Sequence, residues 1–205
     1  RLENETLFLS YLKDIGVKRV AEPIAVDNKN NLGLFSYLPG VVPQSINNDI
    51  VHQAAKFIRV INAFRKQKKA KNIPKASDTS FSVISHLNQV KQRVTRLNQI
   101  SPKGTIQKEV LDFVRSNLVI SLERITDDII SQYSDDKLKR ILPHSSRIIS
   151  PSDFGLQNML VKNNKVHFLD FEYSGWDDPA KLICDFGCHP EIPIKNQYLK
   201  SFKNS

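Results

Sequence analysis

Asp153 and Asn158 stand five residues apart in "PSDFGLQNML" (151–160), and an Asp-Phe pair, Asp170-Phe171, follows a short apolar run downstream. Taken alone, Asp153 reads as an Asx turn before a strand and Asp170 as a strand-end cap. Taken together, two carboxylates and an amide oxygen are what Mg²⁺-assisted phosphoryl transfer requires. Mg²⁺ is a hard ion that takes a few protein oxygens and keeps water and phosphate for its other positions. One Asp is then left free of the metal to orient an attacking hydroxyl and accept its proton.

Such chemistry needs the three residues in one place, and the flanking sequence predicts how. "NMLV" and "VHFLDF" read as short strands joined by "KNNK", where Asn-Asn suits a primed hairpin turn. A tight hairpin lays its strands side by side, so Asn158 and Asp170 approach at the same end, and Asp153 sits on the loop feeding that end. "GWDDPAKLICDF" predicts a turn and then a helix, with Asp178 as N-cap, Pro179 at the first helical position and Asp177 in the turn.

Upstream, "ENETLFLSYLK" (3–13) has helical periodicity with Leu7, Phe8, Tyr11 and Leu12 on one side, and Gly16 ends it. "EPIAVD" (22–27) and "LGLFSYL" (32–38) read as strands around the turn "NKNN", and Pro39-Gly40 breaks the chain. The middle is helical. Ile50, Ala54, Phe57, Ile58, Ile61 and Phe64 form one stripe, with the cationic run Arg65–Lys71 at its C-terminal end. Val83, Leu87, Val90, Val94 and Leu97 form a second stripe. A third runs through Ile106, Val110, Phe113, Val114, Leu118, Leu122, Ile125 and Ile129. The expected order is a small α+β lobe, a break at residues 39 and 40, and a mostly helical lobe carrying the hairpin.

The stretch "SDFGLQNMLV…VHFLDFEYSGWDDPAKLICDF" resembles the aminoglycoside phosphotransferase and choline kinase group, the small-molecule branch of the protein-kinase-like fold. "LDFEYSG" is similar to the choline/ethanolamine kinase form of the metal motif. "GLFSYLPG" resembles the hinge strand that holds adenine, and "ENETLFLSYL" the helix whose glutamate pairs with the ATP-binding lysine. The resemblance implies an α+β, two-lobed kinase-like fold. Residues 1–40 are then the remainder of the nucleotide-binding N-lobe and hinge, and residues 41–205 the helical C-lobe. It implies ATP and Mg²⁺ as cofactors and a small-molecule hydroxyl as acceptor. Asp153 becomes the catalytic base, and Asn158 and Asp170 the Mg²⁺ ligands. Ser36, Tyr37 and Leu38 line the adenine site, and Glu5 is the lysine's partner. Asp185 is the buried acid bracing the catalytic loop, and Glu172 a neighbour of the metal. Two departures accompany it. Pro151 stands where the group places a supporting histidine, so the loop is propped differently or acts weakly. The group's phosphate-covering loop and lysine precede the position of Glu5, so residues 1–205 alone are expected to bind ATP poorly.

Composition sets the outer bounds. The chain has 205 residues, with 40% hydrophobic and 25% charged, enough for one large or two small domains. No apolar run is long enough for a membrane span. The net charge of +9 admits polyphosphate, anionic lipid or nucleic acid. A nucleic-acid module would interleave aromatics with its cations, and Arg65–Lys71 has none, so nucleic acid is not expected. Cys184 and Cys188 form no disulfide framework and fit a reducing, cytoplasmic setting. Even with the adjacent His189 they fall short of a zinc set and read as buried thiols. His52, His86, His144 and His167 are scattered. Two alternatives to an ATP-dependent phosphotransferase stay open: a non-catalytic kinase-like (pseudokinase) binding module, and a basic RNA-binding helical protein.

Overall fold

The computed structural model describes residues 1–188 and 192–204. His189 lies outside the described residues. In chain order the elements are α1 (Leu2–Asp14), β1 (Pro23–Asp27), β2 (Leu32–Phe35), α2 (Asn48–Ala63), α3 (Val83–Asn98), α4 (Thr105–Phe113), α5 (Val119–Gln132), α6 (Asp135–Lys139), β3 (Ile148–Ser150), β4 (Met159–Lys162), β5 (Lys165–Phe168), β6 (Gly175–Asp177), α7 (Pro179–Gly187) and α8 (Asn196–Asn204). The architecture is α+β, as the sequence predicts. The strands make antiparallel pairs β1–β2, β3–β6 and β4–β5. The chain divides into two units, Arg1–Thr79 with His144–Ser205, and Ser80–Pro143.

The first unit holds most of the core. Its centre is aromatic: Phe57 stacks on Phe168 at 4.1 Å between ring centroids, and Phe186 on Phe202 at 3.9 Å. Phe154 lies between these pairs, 5.7 Å from Phe168 and 5.9 Å from Phe186. The α2 stripe supplies Ile50, Ala54, Phe57 and Ile61 to this core, and Asn47 caps the helix through its side chain. In α1, Phe8, Tyr11 and Leu12 are buried as expected, joined by Leu9, whereas Leu7 is exposed. The run Arg65–Lys71 is not a helix end. It turns away after Ala63 and enters a 3₁₀ turn (Lys68–Asn72), where Ala70 is buried and Lys69 pairs with Asp14 at 2.6 Å.

The second unit departs from its sequence pattern. In α3 only Val94 of the predicted stripe is fully buried; Val83, Val90 and Leu97 are exposed. The third stripe does not run along one helix. A π-helical turn at Val114–Leu118 separates α4 from α5, and its wider winding shifts the facing positions. Leu111 and Val114 are buried, while Ile106, Val110, Phe113 and Ile125 are exposed. In α7, Leu182 and Phe186 take the buried face, which turns Cys184 and Cys188 outward. Both thiols are therefore exposed and free, not buried as expected.

Candidate active site

The β4–β5 hairpin closes through Asn163 (φ 49°) and Asn164 (φ 58°), the left-handed pair of a type I′ turn. Met159 faces Phe168 at the far end, and beyond them the Leu169 amide donates to the Asn158 carbonyl at 3.0 Å. Asn158 thus stands at the hairpin's open end, finishing a 3₁₀ turn (Leu156–Asn158). The loop before it is anchored by Phe154 and Leu156, both buried. Between Pro151 and these anchors the chain takes two consecutive left-handed residues, Ser152 (φ 55°) and Asp153 (φ 42°). Side-chain-bearing residues seldom adopt this conformation, so the surroundings must hold them there.

Asn158 provides much of that hold. Its Nδ2 donates to the Asp153 carbonyl at 2.9 Å and lies 3.3 Å from Asp153 Oδ2. This commits the amide nitrogen to Asp153 and keeps the amide oxygen for another partner. Asp170, two residues past β5, is also left-handed (φ 59°). Its neighbour Phe171 is buried 5.1 Å from Phe8. The Phe171 amide donates to Glu5 Oε1 at 3.4 Å, which brings α1 to the Asp170–Glu172 segment. Glu172 pairs with Arg1 at 3.0 Å. Asn4 Nδ2 donates to the carbonyls of Glu172 (2.9 Å) and Ser174 (2.8 Å).

These carboxylates crowd one another. Burial pushes the Asp170 carboxyl above its ordinary range, and the charges of Glu172 and Asp153 add to it. Glu5 is raised chiefly by burial, then by Asp170 and Glu172, against the hydrogen bond from Phe171. A cation among them would relieve this cost. The available donors, the Asp170 carboxylate and the Asn158 amide oxygen, are hard oxygens that suit Mg²⁺. Among the described residues no group of three His, Cys, Asp or Glu side chains could hold a metal by itself.

The segment expected to hold adenine lies at some remove. Ser36, Tyr37 and Leu38 fall just past the end of β2. Ser36 continues the strand pairing: its amide donates to the Glu22 carbonyl at 2.9 Å, and its Oγ accepts from the Glu22 amide at 2.9 Å. The Tyr37 ring stands in solvent, 85% exposed. No hydrogen bond or ion pair joins these three residues to Asp153 or Asp170 among the described residues. The link is through backbone instead. Val41 and Val161 of β4 exchange hydrogen bonds at 3.1 and 2.9 Å. Gly40 (φ 146°) makes that approach possible, since a Cβ there would sit 3.1 Å from the Val161 carbonyl oxygen.

The expectation for Asp185 needs correction. Asp185 is only half-buried and makes its ion pair with Lys181 Nζ, at 2.6 Å. The fully buried acid is Asp177, 0% exposed, which the sequence reading leaves in a turn. Asp177 receives hydrogen bonds from the Thr79 hydroxyl and the Asp178 amide, and lies 3.3 Å from Lys181. Lys181 Nζ also donates to Ser152 Oγ at 2.8 Å. Asp178 is the N-cap of α7 as predicted, accepting from the Ala180 amide at 2.8 Å. Burial pushes the Asp177 carboxyl up. It pulls Lys181 down, but Asp177 and Asp185 outweigh it and hold the ammonium above its usual value. Lys181 was missed in the sequence, although Lys181 and Asp185 are four apart on α7, as one helical face requires, with Asp177 four residues earlier at the end of β6.

These elements and this hairpin constitute a kinase-like fold. The same fold is found in the aminoglycoside phosphotransferase APH(2'')-Ib with ADP bound (TM-score 0.63, 14% identity, 98% of this chain and 64% of that one). It is found in the streptomycin–ATP ternary complex of APH(2'')-IIa (TM-score 0.61, 13% identity, 98% and 64%). Choline kinase from Cryptosporidium parvum Iowa II is a third example (TM-score 0.54, 15% identity, 98% and 59%). The chain therefore spans less than two thirds of the length of the structures it matches. No known family's sequence profile matches the chain, and no curated protein matches it by sequence. Among the described residues, no helix is long and apolar enough to cross a membrane.

Proposed function

We propose that the intact protein is an ATP- and Mg²⁺-dependent phosphotransferase that moves the γ-phosphate to a hydroxyl of a small molecule. The observation that carries this reading is the committed geometry at the hairpin's open end. Asn158 gives its nitrogen to Asp153 and reserves its oxygen, while Asp170 waits at the same end with a carboxylate raised by burial and by its acidic neighbours.

In this reading Asp153 faces the acceptor hydroxyl, orients it and takes its proton as the bond to phosphorus forms. Asn158 and Asp170 would hold Mg²⁺, which supplies charge neutralisation on the transferring phosphate. Glu172 sits beside Asp170 and, through Arg1, fixes the end of the segment. Glu5 is the partner of a nucleotide-binding lysine, and Ser36, Tyr37 and Leu38 supply the adenine side. Little covalent chemistry falls to the protein, so the residues act by positioning and electrostatics.

The test is calorimetric titration of the intact protein with Mg-ATP, with Asp170→Asn alongside. Mg²⁺-dependent binding that Asp170→Asn weakens is the expected result. Absence of binding would favour the alternative, a non-catalytic kinase-like module.

A further inference from the structure

The loop carrying Asp153 holds two strained residues in succession, yet Pro151, at the place where the resembled group has a supporting histidine, has no side-chain donor and no backbone N–H. Something else must keep Ser152 and Asp153 left-handed. From the strand side, the Ser152 amide donates to Ser150 Oγ at 3.0 Å. From the far side, Asn158 and the Gly155 amide reach the Asp153 carbonyl at 2.9 and 3.0 Å. From outside the 150–158 segment, the Lys181 side chain reaches this loop, donating to Ser152 Oγ at 2.8 Å.

Lys181 is itself fixed. Its ammonium is held by Asp185 at 2.6 Å from one turn onward, and by Asp177 at 3.3 Å from the end of β6. Asp177 is in turn held by Thr79 and by the Asp178 amide. Ser152 and Asp177 are both buried, which shields those two partners of Lys181 from water. The ammonium donates to one acceptor on the loop and one on Asp185, and Asp177 Oδ2 lies in ion-pair range. The long lysine stem lets α7 reach a loop whose own sequence offers no prop.

We infer that Lys181 is the positioning residue of the catalytic loop, locking Ser152 and thereby Asp153 against the Asp177–Asp185 pair, in the place of a supporting histidine. This rests on the phosphotransferase reading for its catalytic consequence, though not for its geometry. In this inference Lys181 acts through Ser152 and not on the substrate. Its loss should lower turnover while nucleotide affinity stays the same.

The experiment uses the intact protein with Mg-ATP alone, water standing in for the acceptor, and compares wild type, Lys181→Met, Ser152→Ala and the double variant. Each single variant is expected to lower kcat by about tenfold or more, with nucleotide Kd changed by less than about twofold. The double variant should be no worse than the worse single one, because both changes cut the same link. Additive losses, or kcat within about twofold of wild type in both single variants, overturn the inference. Should Lys181→Met fail to fold, Ser152→Ala decides alone by the same limit. If wild type hydrolyses no Mg-ATP, the phosphotransferase reading fails separately. Amide exchange then judges Lys181: Ser152→Ala should speed exchange at the Gly155 and Asn158 amides and leave α2 untouched, and unchanged exchange overturns the inference.

Discussion

Among the described residues are two β-hairpins of nearly equal size, and they are packed in opposite ways. β1–β2 carries Ile24, Val26, Leu32 and Leu34, all exposed, and none of its residues is fully buried. β4–β5 carries Met159, Val166 and Phe168, all buried, with Phe168 stacked on Phe57. A two-stranded hairpin alone is marginal in water, so its packing decides how rigidly it holds what it carries. The second hairpin is clamped to the core, and it is the one whose open end gathers Asp153, Asn158 and Asp170. The first ends at Ser36–Leu38, held by pairing with Glu22 and by the Val41–Val161 bridge. In the proposed reading, the acidic chemistry needs a fixed frame, whereas a hinge that offered backbone groups to a flat ring would not need the same rigidity.

This contrast can be broken by substitution. Phe168→Ala should cost about 3–5 kcal/mol in urea unfolding, because it empties the aromatic centre under β5. Asn164→Val, which puts a β-branched residue at φ 58° in the turn, should cost about 1–2 kcal/mol. Asp170→Asn should raise the melting temperature at pH 7 in the absence of divalent cations. The Asp170 pKa is raised by burial and by Glu172 and Asp153, so the folded state releases this proton less readily than the unfolded chain. The ionised group therefore destabilises the fold above that raised pKa. The advantage of Asn should fade as pH falls through the ordinary carboxylate range, and added Mg²⁺ should stabilise only the wild type. Leu34→Ala, at a residue 59% exposed, should move stability by no more than about 0.5 kcal/mol. Equal costs for Phe168→Ala and Leu34→Ala would erase the distinction between the hairpins.

Local signals were the legible ones. "KNNK" predicts its turn because Asn tolerates φ > 0, and Asp178-Pro179 predicts the start of α7 because capping is a property of neighbours. Asp153, Asn158 and Asp170 were legible as a set, since hairpin register converts their spacing into proximity. Burial was harder to read. The stripes Val83–Leu97 and Ile106–Ile129 are periodic, yet much of their apolar surface is exposed, and the π-turn at Val114–Leu118 breaks the phase of the second. Cys184 and Cys188 have the composition of buried residues, but Leu182 and Phe186 claim the inner face of α7. Lys181 was hidden for a different reason. Its link to Ser152 spans 29 residues and depends on where α7 packs, which no local pattern records.

The most direct test is turnover of the intact protein carrying Asp153→Ala, measured with Mg-ATP and followed together with nucleotide affinity. The account predicts that phosphoryl transfer falls by about a thousandfold or more while Mg-ATP binds as in wild type. Turnover unchanged by Asp153→Ala would contradict it, because the reacting proton would then leave by a route that does not involve the hairpin's open end.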